Sequence, residues 1–87
     1  MSEGELVDIL AGEYEEGAGC EPMLLFWYVQ PGERVLEGQE LCEVESAKAV
    51  VVIPAPVEGT LAEIVVREGE AVGSAQVLGR IRRRGDS

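Results

Sequence analysis

Trp27-Tyr28-Val29-Gln30-Pro31-Gly32-Glu33-Arg34-Val35 and Ile64-Val65-Val66-Arg67-Glu68-Gly69-Glu70-Ala71-Val72 are two copies of one unit, 37 positions apart. Each reads hydrophobic–x–Val–x–x–Gly–Glu–x–Val. The match continues outward, with Gln39 on Gln76, Leu41 on Leu78 and Val44 on Ile81. A repeat of this size is one supersecondary unit that cannot bury its apolar side alone. Two copies facing each other close one core, related by an approximate two-fold. Gly32 and Gly69 recur at the same place, where a turn calls for a backbone conformation that a Cβ would strain.

Around the repeat, short runs rich in Val, Ile, Leu and aromatics are cut at regular intervals by Gly and Pro. Leu6–Leu10, Met23–Val29, Leu41–Glu45, Ala49–Ile53, Thr60–Val66 and Val77–Ile81 read as strands. No window keeps a helical 3.6-residue period. The expected fold is all-β: a flattened barrel or sandwich of antiparallel strands. One domain over 1–81 followed by a polar, flexible tail over 82–87 accounts for the 87 residues.

Between the two copies lies Cys42-Glu43-Val44-Glu45-Ser46-Ala47-Lys48-Ala49-Val50-Val51-Val52-Ile53. If Ala47 and Lys48 form a two-residue turn, Ser46 faces Ala49, Glu45 faces Val50, Val44 faces Val51, Glu43 faces Val52 and Cys42 faces Ile53. Opposed residues share a face of the sheet. Cys42, Val44, Val51 and Ile53 are then expected inward, and Glu43 and Glu45 outward. A slip of one residue would mix the two sets. Ala and Lys tolerate positive φ poorly, which favours a type I turn.

Lys48 is the chain's only lysine beside six arginines. On a protruding tip its amine is solvated, with nothing to depress its pKa, so it is a poor nucleophile or base. Small Ala47 and Ala49 leave it open to a modifying enzyme. Most lysines are simply solvated. Its uniqueness, its small neighbours and its place midway in a duplicated fold set this one apart.

Composition removes other functions. Seven cations against 17 carboxylates give a formal charge of −10. This argues against a nucleic-acid backbone and an anionic membrane as partners. With no histidine, imidazole catalysis and His metal ligation are excluded. Cys20 and Cys42 form no CxxC motif and no disulfide framework, which fits a reducing, cytoplasmic setting. The acidic start has no apolar run behind it, so it is no signal peptide. Met23 to Val29 is too short to span a bilayer. Cys42 is expected to be an inert inward thiol, and Trp27 a core residue opposite its mate Ile64.

The ordered set Trp27-x-Val29-x-x-Gly32-Glu33, Leu41-x-Glu43-Val44-Glu45-Ser46-x-Lys48-Ala49, Ile53-Pro54-Ala55-Pro56-Val57-x-Gly59 and Val66-x-x-Gly69-Glu70-x-Val72 resembles the lipoyl domain family. These are the swinging-arm domains of 2-oxo acid dehydrogenase acyltransferases. The resemblance runs from about Glu5 to Ile81. It implies two four-stranded sheets with the modified lysine on a hairpin tip. It also implies lipoate in amide linkage on Lys48, on an arm of roughly 14 Å, with Glu45, Ser46, Ala47 and Ala49 as the recognition residues around it. The chain would be a monomeric carrier without catalytic residues. Its implied partners are a lipoate ligase or octanoyltransferase, a 2-oxo acid decarboxylase and dihydrolipoyl dehydrogenase.

Most relatives in that family have Asp where this chain has Ala47, an acid that helps partner enzymes recognise the domain. The Glu-Ser-x-Lys-Ala form also resembles the glycine-cleavage H protein, which is longer and carries helical additions. A biotin carrier has the same fold, but its lysine is bracketed by methionines; Ala on both sides of Lys48 favours lipoate over biotin. An unmodified interaction module is the other alternative. In the family the loop matching Gly12 to Pro22 lies beside the tip and influences partner choice. Val52 stands where the family usually has an acid, and with Val50 it forms a small outward apolar strip, read as β-propensity on a half-exposed strand ahead of a partner-docking strip. No Pro/Ala-rich linker follows Ile81, which favours a free-standing protein. Arg84-Gly85-Asp86-Ser87 is read as a coincidental match to an integrin motif.

Overall fold

The computed structural model describes residues 4–13, 21–46 and 49–83. Among them the chain forms β1 (Leu6–Leu10), β2 (Met23–Trp27), β3 (Arg34–Val35), β4 (Glu40–Glu45), β5 (Val50–Pro54), β6 (Gly59–Ile64) and β7 (Val77–Arg82), with no helix. One antiparallel sheet runs β1-β7-β6-β3 and the other β2-β4-β5. The six strands read from composition are present. The seventh, β3, is a two-residue strand that composition does not announce. β7 runs one residue past the expected domain boundary, and the Arg83 N–H donates to the Glu5 carbonyl at 2.9 Å.

The repeat is a repeat in space. The Gly32 N–H donates to the Leu61 carbonyl, and the Gly69 N–H to the Leu24 carbonyl, both at 2.8 Å. The Tyr28 N–H reaches the Leu41 carbonyl at 2.7 Å, and its mate Val65 reaches Leu78 at 2.8 Å. Gly32 and Gly69 have φ of 98° and 88°, which L side chains rarely adopt. Each stands third in a turn closed by the next residue's N–H, Glu33 to Gln30 and Glu70 to Arg67, both at 3.1 Å.

The core follows the same pairing. Leu24 and Leu61, Leu41 and Leu78, Val44 and Ile81, Val29 and Val66, and Val35 and Val72 are all buried. So are Ile9 with Ile53 and Ala11 with Ala55, contributed by β1 and β5 and the residues just beyond them. Burying a Leu, Ile or Val side chain is worth about 1.5–3 kcal/mol relative to exposure. Within the core the symmetry breaks at Trp27. Its indole Nε1–H donates to the buried Val66 carbonyl at 3.0 Å. Its partner across the strands is Cys42, whereas the mate Ile64 is paired with Gly79. A Cβ on Gly79 would lie 3.1 Å from Trp27 Cη2. The largest side chain of one half thus occupies the room left by a missing side chain in the other.

Two expectations are corrected. Among the described residues the sheets hold four and three strands rather than four each, and they do not close into a barrel. The missing strand is reduced to one bridge, Met23↔Ala71, the mate of Thr60↔Arg34 in the complete sheet. The next pair would be Pro22 with Val72, matching Gly59 with Val35. Val72 N–H does donate to the Pro22 carbonyl at 2.8 Å, but proline has no N–H to return the bond. Val51, expected inward, pairs with Val44 as foreseen but stays 37% exposed. It lies on β5, the edge of the smaller sheet, where no further strand covers it.

Candidate functional site

The hairpin β4–β5 has the register read from its sequence. Glu45 pairs with Val50, Val44 with Val51, Glu43 with Val52 and Cys42 with Ile53. The alternation of buried Cys42 and Val44 with outward Glu43 and Glu45 holds that register, because any slip would turn carboxylates into the core. Beyond the ladder, the Ser46 N–H donates to the Ala49 carbonyl at 2.8 Å. The Ser46 hydroxyl donates to the same carbonyl at 3.0 Å and accepts from the Ala49 N–H at 3.4 Å. Ser46 therefore clamps the mouth of the turn with backbone and side chain together. Ala47 and Lys48, with the turn type expected for them, lie outside the described residues, as do Cys20 and residues 14–20 of the acidic loop.

The neck of the hairpin is open. Glu45, Ala49 and Val50 are exposed and Ser46 is half-buried, so the described residues on both sides of positions 47 and 48 are open to solvent. An open neck held by hydrogen bonds suits the approach of a visiting enzyme. Cys42 is the nearest thiol to this hairpin among the described residues. It is fully buried, and burial pushes it up to about 12, so it is inert. A shallow groove of about 590 Å³ between mates Trp27 and Ile64, Gln30 and Arg67, and Pro31 and Glu68 marks the seam between the two copies. Trp27 there is a core residue, and its backbone N–H donates to Glu68 Oε2 at 3.1 Å. Among the described residues no group of three or more His, Cys, Asp or Glu could hold a metal ion. No helix is long and apolar enough to cross a membrane among them either.

The outer face beside the hairpin is not legible from any single segment. Tyr28 stacks edge-on against Phe26, ring centroids 5.0 Å apart, and its hydroxyl donates to Glu43 Oε2. That bond to a carboxylate, followed by desolvation, raises the phenol to about 12. Phe26, Glu43 and Val52 form one row across β2, β4 and β5.

A family model described as biotin-requiring enzyme matches residues 11–81. The succinyltransferase component of the 2-oxoglutarate dehydrogenase complex of Escherichia coli K12 is 36% identical over 76 residues, 87% of this chain and 18% of that protein. The acetyltransferase component of the pyruvate dehydrogenase complex of Staphylococcus aureus is 38% identical over 61 residues, 70% of this chain and 14% of that protein. The chain thus spans less than a fifth of the length of these curated relatives. Among solved structures, the solution structure of the lipoyl domain of the 2-oxoglutarate dehydrogenase complex from Azotobacter vinelandii superposes with a TM-score of 0.75. It is 32% identical, and the match covers 91% of this chain and 99% of that one.

Proposed function

The chain belongs to the biotin/lipoyl attachment family as a lipoyl domain, and on that premise we propose that it carries lipoate in amide linkage on Lys48. The observation that supports this reading is the β4–β5 ladder, closed by Ser46 and Ala49 on either side of residues 47 and 48. The bound group would supply a dithiolane that takes up an acyl group and electrons. The protein's part is mechanical. The β4–β5 ladder holds the base of the hairpin, Ser46 fixes its mouth, and exposed Glu45 and Ala49 let an enzyme close around it. Acylation of the lysine nitrogen removes its charge. The body stays outside a partner's active site while the arm enters. Tethering holds the cofactor at a local concentration in the millimolar regime.

A lipoate ligase or octanoyltransferase would load the lysine. A 2-oxo acid decarboxylase and dihydrolipoyl dehydrogenase would be the working partners, with this domain as a monomeric carrier in the cytoplasm. The relatives are components of 2-oxoglutarate and pyruvate dehydrogenase complexes, which supports 2-oxo acids as the substrate class of the complex it would serve.

Incubation of the apo protein with lipoate ligase, ATP and lipoate tests the assignment. Intact mass should rise by one lipoyl increment, mapped to the peptide containing Lys48, and Lys48→Arg should show none. Equal labelling of wild type and Lys48→Arg would overturn the site, and a biotin increment from native cells would overturn the cofactor.

A further inference from the structure

The two halves have opposite outer faces. In the four-stranded sheet the row Asp8–Arg80–Glu63 is an ion-paired triad, with Arg80 Nε 3.0 Å from Asp8 Oδ1 and Nη1 bonded to Glu63 Oε2. The mates of these residues in the lysine-bearing sheet are Val52, Glu43 and Phe26. The next row shows the same inversion: Leu6–Arg82–Thr60 in one sheet, Val50–Glu45–Met23 in the other. Where one sheet has arginine at the centre of each row, the other has glutamate between apolar side chains. Glu43 and Glu45 make no ion pair among the described residues. Phe26 is 40% exposed, Val50 51% and Val52 37%. The face therefore combines unburied apolar area with two unneutralised carboxylates one strand repeat apart, on the strands that bear the hairpin.

We propose that this outer face of β2-β4-β5, formed by Phe26, Tyr28, Glu43, Glu45, Val50 and Val52, is a transient docking face for a protein surface that sets apolar side chains between two cations. Charge selects that occupant. The chain carries −10, so two copies repel, and on its own arginine-centred face Arg80 is already engaged by Asp8 and Glu63, which leaves Arg82 alone in those two rows to meet two carboxylates; a second copy is a poor complement. Size sets the lifetime. Three strands of five or six residues cover roughly 300 Å², well below the ~800 Å² per partner of a stable complex. A contact that forms and releases suits an enzyme that must acylate the arm and let it go. The partner's identity as the 2-oxo acid decarboxylase rests on the carrier reading above; the face itself does not.

The test uses the full chain, lipoylated to completion by intact mass, as the varied substrate of the host's purified 2-oxo acid decarboxylase components. Phe26→Thr, Val52→Thr and Glu43→Lys should each raise KM for the domain at least fivefold with kcat unchanged. Arg82→Glu on the opposite sheet should leave both constants within twofold. Added salt should weaken the wild type more than Glu43→Lys. Unchanged Trp27 fluorescence certifies that each variant folds. As a second readout, amide shifts of the ¹⁵N-labelled wild type on adding decarboxylase should cluster on β2, β4 and β5. Variants indistinguishable from wild type, or shifts confined to β1, β6 and β7, would overturn the docking face alone. A wild type that no decarboxylase acylates would instead overturn the carrier reading.

Discussion

Ala75 is the one described residue other than glycine with positive φ, 57°, and its mate in the repeat is Gly38, with φ 86°. Both stand third in matched turns, closed by Gln39 N–H to Leu36 O at 3.0 Å and Gln76 N–H to Gly73 O at 3.2 Å. The half that keeps glycine fits this conformation; the half that has alanine is strained. An L residue in the left-handed region costs about 1–2 kcal/mol. Glycine gives back about 0.5–1 kcal/mol through the freedom it gains in the unfolded chain. Ala75→Gly should therefore stabilise the domain by about 0.5–1 kcal/mol, a rise in Tm of roughly 3–6 °C for this size. Gly38→Ala should cost a similar amount. Its Cβ would meet nothing within 4 Å, so backbone strain is its only penalty. The exchange Gly38→Ala/Ala75→Gly should return to within about 0.5 kcal/mol of wild type if the turns are independent. Urea unfolding followed by Trp27, the only tryptophan and buried, reads all three variants. A neutral or destabilising Ala75→Gly would refute the reasoning, since no lost contact could hide a gain at an exposed turn position.

Three further outcomes follow from packing and charge. Gly79→Ala would bring a Cβ 2.7 Å from the Glu63 carbonyl and 3.1 Å from Trp27 Cη2, at a cost of about 1–3 kcal/mol. Trp27→Phe should recover part of that loss in a double-mutant cycle read by circular dichroism; strict additivity would show that the two residues do not share the space. Tyr28 should ionise near 12. Because its folded pKa is raised above the unfolded value of about 10, its contribution to stability is complete below pH 10 and lost as pH rises through 10 to 12. Glu43→Gln should bring the phenol's absorbance titration back toward 10, and an unmoved titration would show that the carboxylate is not the cause. Ser46→Ala keeps the backbone bond to Ala49 and loses the hydroxyl clamp. Lipoate ligation should then fall by roughly a factor of two, matching about 0.5 kcal/mol for an exposed hydrogen bond, and equal kcat/KM would show that the clamp does not prepare the tip.

Repetition and alternation are written along the chain, and what depends on them could be read there. The spacing of Gly32 and Gly69, and of Leu41 and Leu78, announces two units that share a core. Glu43 and Glu45 alternating with Cys42 and Val44 sets the hairpin register, because the cost of inverting it is paid at every residue of the strand. Lys48 stands out by count alone. Side-by-side neighbours are another matter. Asp8, Glu63 and Arg80 meet in one row, and Phe26, Glu43 and Val52 in another, only because strands distant in sequence pair in a particular order. The same pairing makes β5 an edge and leaves Val51 uncovered, and sets Pro22 where its missing N–H ends a strand. Ala75 reads as an ordinary residue until the turn around it requires left-handed φ. Local pattern decides which way a side chain faces; long-range hydrogen bonding decides what stands beside it, and so which face of the lysine-bearing sheet is left for another protein.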